Sequence, residues 1–293
     1  MWKLVQIETY KIFRKPRTYL AFGIIALFIV LIQIGLYANG KDFVKFLMGT
    51  VSDTMEIDYD RVLNGYLICY TILNLLLIHV PILVALVAGD IVSGEANAGT
   101  LRLLVSKPVS RMEIILAKYI ASAGYVFVML IWIALISLVV SIAVFGTNDL
   151  YVAKERELQI ISEGDVLWRY FCAFAFAFVA MMLVAAISLL LSVLSENSIG
   201  PIVATVGIII VCTLMSEMEI PLYQKYVKPY LFTTYMLGWK GFFYIKGDGE
   251  GGTIQGSIQY APAIIKSFIA LLLYIVGLVS ASIMIFRKKD ILS

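Results

Sequence analysis

Long apolar blocks separated by short polar stretches dominate this sequence. Each block is close to the roughly 20 residues that an α-helix needs to cross about 30 Å of hydrocarbon. Strands would leave unpaired backbone groups in lipid, and the blocks lack the alternation of a β-barrel. The pattern predicts an all-α integral membrane protein with six transmembrane helices, at residues 18–36, 66–89, 112–145, 168–194, 199–215 and 263–286.

The composition supports this class. Of 293 residues, 61% are apolar and 15% charged, whereas soluble domains carry about 45–50% apolar and about 25% charged residues. The net charge of +3 and the lack of a long basic run with aromatics give no reason to expect a nucleic-acid partner. Cys69, Cys172 and Cys212 lie in or beside apolar blocks, so we interpret them as small hydrophobic residues, and no metal site is expected.

The cations predict an orientation. Twelve of the 23 Lys and Arg residues lie in three short stretches, at residues 1–17, 102–118 and 287–289. By the positive-inside rule, both termini are expected in the cytoplasm of a cell whose cytoplasmic or inner membrane holds the chain. The acidic loops 37–65 and 146–167 are then outside. No cleavage site follows the first apolar block, so an uncleaved first span is predicted.

Residues 1–17 are predicted to form an amphipathic helix in the membrane surface, ended by Pro16. The alternative is an ordinary basic segment before the first span. The predicted apolar face contains Trp2, Val5, Thr9, Ile12 and Phe13.

The segment 216–262, predicted to be extracellular, carries nine aromatic residues between Tyr223 and Tyr244. Such density is typical of the headgroup boundary. We expect short helices in the outer leaflet, or an aromatic cap packed on itself. The glycine-rich stretch 247–252 is interpreted as a flexible turn.

Catalytic signatures are absent from the sequence. There is no HExxH, GxSxG or Gly-x-x-x-x-Gly-Lys-Ser/Thr motif, so we expect neither an enzyme nor a cofactor bound by this chain. Energy for work must then come from a partner. The predicted spans are almost bare of ionisable groups, which disfavours ion-coupled transport. Gln33, Asn74 and His79 either line a pathway or each form one hydrogen bond between helices.

The segment 89–111 has the features of a short, firmly held helix. Thr100 to Val105 can form one turn or more, with Leu101, Leu104 and Val105 along one side. Pro108 cannot continue it, and Ser110 with Glu113 forms a capping box that starts the third span. The same residues could also belong to an ordinary solvated loop.

This segment resembles that of the ABC-2 type permeases, the membrane subunits of ATP-binding-cassette exporters. The resemblance covers nearly the whole chain. The residues that carry it are Glu95, Gly99, Thr100, Leu101, Leu104, Ser106, Lys107, Pro108, Val109, Ser110 and Arg111.

The resemblance implies a coupling helix near residues 99–106 that docks on a separate ATPase subunit, which binds ATP and Mg²⁺. It also implies a second permease chain, expected to be identical, and secondary contacts from the N-terminal helix and the turn 195–198. Glu95 and Arg111 would fix the loop. The residues expected to couple to the ATPase are Glu95, Gly99, Thr100, Leu101, Arg102, Leu104, Lys107, Pro108, Arg111 and Glu196.

Two other functions stay open at this point. One is a channel or secondary carrier that works alone. The other is an anchor or assembly factor that docks an ATPase and transmits mechanical work without transport. Apolar spans with few polar groups suit a lipid, a hydrophobic peptide or an amphiphile as substrate, but they do not select one.

Overall fold

The fold is that of a computed structural model, which describes residues 1–48, 59–154, 157–218, 220–247 and 253–289. Six helices in these ranges are long and apolar enough to cross a membrane, so the predicted all-α multi-pass fold is confirmed. The α-helices are α1 Trp2–Arg14, α2 Pro16–Met48, α3 Tyr59–Val62, α4 Gly65–Ala88, α5 Ser93–Asn97, α6 Thr100–Val105, α7 Arg111–Ala134, α8 Val140–Phe145, α9 Glu163–Leu194, α10 Ile199–Ser216, α11 Pro221–Tyr226, α12 Phe232–Met236 and α13 Ala261–Lys288.

Spans 1, 2, 4, 5 and 6 are α2, α4, α9, α10 and α13, and span 3 is α7, a π turn and α8 in succession. Local signals set several of their ends. Asn64 caps α4, because its side chain accepts hydrogen bonds from two backbone amides of the first turn. The predicted capping box of Ser110 and Glu113 starts α7. Span 1 runs beyond the predicted residue 36 to Met48, with a non-helical kink at Asn39.

The π turn Leu135–Val139 is the irregular part of span 3. A π turn leaves a backbone carbonyl without its usual helical partner. Here a side chain of span 1 donates a hydrogen bond to that carbonyl. Gln33 Nε2 donates to the Ile136 carbonyl at 2.9 Å and to Ser141 Oγ at 3.0 Å. Gln33 is therefore a buried structural link between spans 1 and 3.

The bundle has two distinct ends. The terminal end comprises α1, the segment 89–110, the turn 195–198 and Lys289. The segment 89–110 contacts α1 and the turn, and Lys289 donates to the Val193 carbonyl near the end of span 4. The hairpin end carries the connections on the other side, including a two-stranded hairpin of β1 Leu150–Lys154 and β2 Glu157–Ile161. The predicted acidic loop 146–167 contains this hairpin, which the sequence pattern did not indicate. Of the acidic loop 37–65, residues 49–58 lie outside the described residues.

The segment 216–262 forms short helices, as predicted. They are α11, α12 and the 3₁₀ turns Lys228–Tyr230 and Leu237–Phe243. Its aromatic residues divide between two environments: Trp239 and Phe243 are buried, whereas Tyr230 is 76% exposed. The Phe243 ring lies 5.2 Å from that of Tyr70 and 4.9 Å from that of Tyr170, so the buried aromatics pack on spans 2 and 4. The strands β3 Lys246–Gly247 and β4 Thr253–Ile254 pair beside them, and the predicted glycine turn at 248–252 lies outside the described residues.

A buried ion pair fixes this segment to span 4. Arg169 is fully buried, and its guanidinium lies 2.5 Å from Asp165 Oδ2. It also donates to the carbonyls of Phe242 and Ser257, at 2.5 and 2.8 Å. The Gly256 amide donates to the same carboxylate at 2.9 Å. Each charge thus has several partners, the condition under which a buried pair is tolerated.

The N-terminal helix α1 forms as predicted, but its surroundings differ from the expectation. Val5 and Ile12 of the predicted lipid-facing surface are buried against the protein, where α1 packs on α7. Trp2 of the same predicted surface is exposed, and so are Ile7 and Tyr10, which were not part of it. The helix therefore has one face on the bundle and another, rich in aromatic and aliphatic groups, available to the membrane surface.

The close approach of span 2 to span 3 gives a testable prediction. A Cβ on Gly65 would lie 2.6 Å from backbone atoms of Ile142, which cannot move aside alone. Gly65→Ala is expected to lower the free energy of unfolding by about 1–3 kcal/mol. The measurement is thermal unfolding of the purified chain in detergent, followed by tryptophan fluorescence.

Gly124→Ala is the matched control, because a Cβ on that helical glycine meets nothing within 4 Å. This substitution is expected to be neutral or to stabilise the protein by about 0.5–1 kcal/mol. Equal melting temperatures for the two variants would contradict the packing of α4 on α8.

Candidate functional site

The segment between spans 2 and 3 contains the short helix that the sequence predicted. Gly99 joins α5 to α6 with φ of 68°, a left-handed conformation that glycine adopts without a Cβ penalty. The helix α6 ends at Val105, before Pro108. The segment is thus a helix held between two backbone breaks.

The predicted apolar side of α6 faces the protein. Leu101 is 3% exposed, and Leu104 and Val105 are half-buried against the core. Leu103 points the other way and is 67% exposed. The other exposed residues of this surface, which we call the α6 surface, are Thr100, Arg102, Lys107 and Pro108.

Four charged side chains of α1, α5 and α7 form a closed ring of ion pairs. We call this the charge ring, and its members are Glu8, Lys11, Glu95 and Lys118. Lys118 Nζ lies 2.7 Å from Glu8 Oε2 and 2.8 Å from Glu95 Oε2. Lys11 Nζ lies 2.7 Å from Glu8 Oε1 and 2.6 Å from Glu95 Oε1. Every carboxylate oxygen of the ring therefore has its own ammonium partner.

These contacts matter for stability because much of the ring is buried. Lys118 and Glu8 are 0% and 2% exposed, and Lys118 also donates to the Ile91 carbonyl at 2.9 Å. Burial alone would lower the pKa of Lys11, but the carboxylates of Glu8 and Glu95 outweigh this and hold that pKa above its usual range. The ring is electrically neutral and ties α1, α5 and span 3 together.

Asp90 is a second anchor of the segment. Its buried carboxylate pairs with Lys15 at 2.7 Å and contacts the Arg17 guanidinium and the Ser198 hydroxyl. A Cβ on Gly94 would collide with this carboxylate, so glycine is needed there for the close approach. Asp90 thus connects the segment to the start of span 1 and to the turn before span 5.

Span 4 holds the start of α5. Ser192 Oγ accepts hydrogen bonds from the backbone amides of Val92 and Ser93, at 3.1 and 2.9 Å. These two amides belong to the first turn of α5, which otherwise lacks partners for them. The segment is therefore fixed from a third direction.

Arg111 bonds to the end of span 6. Its guanidinium donates to the carbonyls of Phe286, Arg287 and Lys289, at 3.0, 3.0 and 2.6 Å. These are among the last carbonyls of span 6, which have no partner within the helix. Arg111 thus caps span 6 and joins the end of the segment 89–111 to it. Glu196 is exposed on the neighbouring turn 195–198.

The three candidate pathway residues do not lie together. Asn74 and His79 line a cavity of about 540 Å³ within the bundle, whereas Gln33 is bound to the π turn. Asn74 Nδ2 donates to the Tyr70 carbonyl at 2.8 Å, and His79 Nδ1 lies 2.9 Å from the Leu75 carbonyl. Both bonds are within α4, so the expected bond between helices holds for Gln33 alone.

Glu8, Asp90 and Lys118 belong to the site but were not predicted from the sequence. A signal for Lys118 was present, because an ionisable residue within a predicted span usually has a buried partner. Lys118 was counted among the loop cations that predict the orientation, so its position within a span was overlooked. Asp165 and Arg169 were missed for a similar reason, since they lie at the edge of the predicted fourth span.

Within the described ranges, no group of three His, Cys, Asp or Glu residues is placed to hold a metal ion. The charge ring, Asp90 and Ser192 hold the segment 89–110 to α1 and to spans 1, 3 and 4, and the α6 surface is exposed.

Comparison with known protein families assigns the chain to one family. Residues 24–292 match the family described as "Protein of unknown function (DUF2705)", and the chain belongs to this family. The search of curated proteins finds no match. The family description assigns no activity, so a function must be argued from the site.

The charge ring gives a prediction for stability. Lys118→Met leaves one excess negative charge buried between Glu8 and Glu95, and it is expected to lower the free energy of unfolding by about 3–5 kcal/mol. The double variant with Glu8→Gln restores neutrality, so its loss should be smaller than the sum of the two single losses.

The measurement is thermal unfolding in detergent with Lys266→Met as control, since Lys266 is an exposed lysine on span 6. The control should change stability by less than about 0.5 kcal/mol. Additive losses in the double variant would show that the ring residues do not act together.

Proposed function

We propose that this chain is the membrane permease subunit of an ATP-driven ABC exporter, and that α6 is the coupling helix that docks on a separate ATPase subunit. The observation that carries the proposal is the exposed α6 surface on a base fixed by the charge ring. A helix that only connected two spans would need neither three sets of anchors nor an outward-facing leucine.

The anchors explain how a movement of α6 would reach the bundle. The charge ring connects the segment to α1 and span 3, and Asp90 connects it to the start of span 1. Ser192 connects it to span 4. When ATP closes the ATPase pair, the docked segment moves as a rigid lever, and the attached spans shift between arrangements with different access.

The energy source in this proposal is external. The sequence contains no P-loop, so ATP and Mg²⁺ belong to the partner subunit. Two copies of this chain would pair with two ATPases, as the resemblance to ABC-2 permeases implies.

The proposal requires the terminal end to face the cytoplasm of a cell membrane. The three cation-rich stretches of the sequence all contribute to that end, through α1, the segment 89–110 and the end of span 6. The positive-inside rule favours this orientation.

The α6 surface provides the test. Leu103→Asp places a charge at the centre of the proposed docking surface without touching the core, so it should abolish copurification of the ATPase. Ile254→Asp is the matched control, because Ile254 is an exposed aliphatic residue at the hairpin end.

The measurement is purification in mild detergent from the native host, with copurifying subunits identified by mass spectrometry. The expected result is a P-loop ATPase with the wild type and with Ile254→Asp, and none with Leu103→Asp. If no sample contains an ATPase, the exporter proposal fails. If Leu103→Asp retains it, α6 is not the docking helix.

A further inference from the structure

The cavity of about 540 Å³ lies among spans 2, 3, 4 and 5 and the 3₁₀ turn Leu237–Phe243. Its volume falls within the range of about 300–1,000 Å³ that is typical of small-molecule sites. Most of its surface is apolar, and representative lining residues are Leu76, Leu130, Ala177, Met181 and Ile209.

The cavity runs lengthwise through part of the bundle. Span 2 begins at the hairpin end with Gly65, and its lining residues run from Leu73 to Pro81. At 1.5 Å per residue they cover about 12 Å of a helix about 36 Å long. Ser216 and Glu217, at the end of span 5, also line the cavity, so it reaches toward the hairpin end.

The charged residues that line the cavity lie at one end, whereas Asn74 and His79 line it farther along span 2. Lys240 of the 3₁₀ turn and Glu217, at the end of span 5, line it at the hairpin end, beside the hydroxyls of Ser216 and Thr233. The two hydroxyls bond to each other and to the Cys212 carbonyl, so they are satisfied.

Lys240 is not satisfied in this way. Among the described residues, its ammonium has no hydrogen-bond acceptor and no ion pair, and Glu217 acts on it only from beyond ion-pair distance. Burial lowers the pKa of Lys240, and Glu217 only partly offsets this. A desolvated ammonium without a partner is costly, and an anion beside it would remove that cost.

We propose that this cavity binds a single-chain amphiphile with an anionic headgroup, with its chain among spans 2, 4 and 5 and its headgroup on Lys240. The apolar body of the cavity suits a hydrocarbon chain, and the half-buried Lys240 at its end favours a negative headgroup. Glu217 is exposed, and within the described part of the chain its carboxylate forms no ion pair with Lys240 that an anionic headgroup would have to displace.

This inference goes beyond the proposed function, because it concerns binding to this chain alone and needs no ATPase. Since the surrounding bilayer is as apolar as the cavity, the hydrocarbon chain gives little preference for the protein over the membrane. The preference must come from the headgroup. A charge-assisted hydrogen bond to Lys240 is expected to raise occupancy about tenfold over a neutral analogue.

The experiment uses the full chain in nanodiscs of a zwitterionic phospholipid. Two photoreactive probes are compared: a diazirine-bearing hexadecyl sulfonate, which stays charged at neutral pH, and the matching hexadecanol. After irradiation, mass spectrometry locates the labelled peptides. The sulfonate is expected to label the cavity segments of spans 2, 4 and 5 about tenfold more than the alcohol.

Three variants of cavity residues and one control decide the result. Lys240→Gln should reduce sulfonate labelling to the level of the alcohol, and Lys240→Arg should retain it. Ala177→Phe should fill the cavity and reduce labelling by both probes. Lys225→Gln removes a lysine of α11 that does not line the cavity, so it should label as the wild type does.

Equal labelling by the two probes would overturn the proposal, and so would wild-type labelling of Lys240→Gln. Labelling confined to peptides outside the cavity would overturn it as well. If Ala177→Phe fails to fold, the comparison of Lys240→Gln with Lys225→Gln still decides the matter. None of these results depends on whether an ATPase copurifies.

Discussion

Removal of a charge from water costs more free energy than a single ion pair returns, so a buried charge persists only where several partners surround it. The charge ring satisfies this condition with two carboxylates and two ammoniums, and the Ile91 carbonyl accepts a further hydrogen bond from Lys118. Loss of any one member leaves an uncompensated charge for the others. α1, α5 and span 3 are therefore held as one unit, and the orientation of α6 follows from theirs. Asp165 and Arg169 apply the same constraint at the hairpin end.

Much of the fold could be predicted from the sequence, because its signals are local. The number of spans follows from apolar length, and the capping box at Ser110 and the breaks at Gly99 and Pro108 follow from residue type. The hairpin β1–β2 was missed although Leu150, Val152 and Ile161 are buried. Its strands are five residues each and lie in a polar stretch, so their apolar positions do not stand out.

The site was harder to predict, because its side chains find partners far away in sequence. Glu95 was identified as an anchor, but its partners Lys11 and Lys118 lie on other helices. Arg111 was also identified, yet its partners are 175 to 178 residues away, at the end of span 6. Sequence pattern gives the type of a group and not its neighbours. The partner of Gln33 is the Ile136 carbonyl, which is available because of a π turn. No residue type in span 3 predicts that turn.

The positions of the ring residues along the chain also set an order of assembly during synthesis. Glu8, Lys11, Glu95 and Lys118 all belong to the part of the chain up to and including span 3, so their charges can neutralise one another before the last three spans are made. The Arg111 side chain must wait for the carbonyls of residues 286–289, which follow span 6. The first three spans can therefore enter the bilayer with the charges of the ring already paired, and the contact of Arg111 forms only after span 6 has been made.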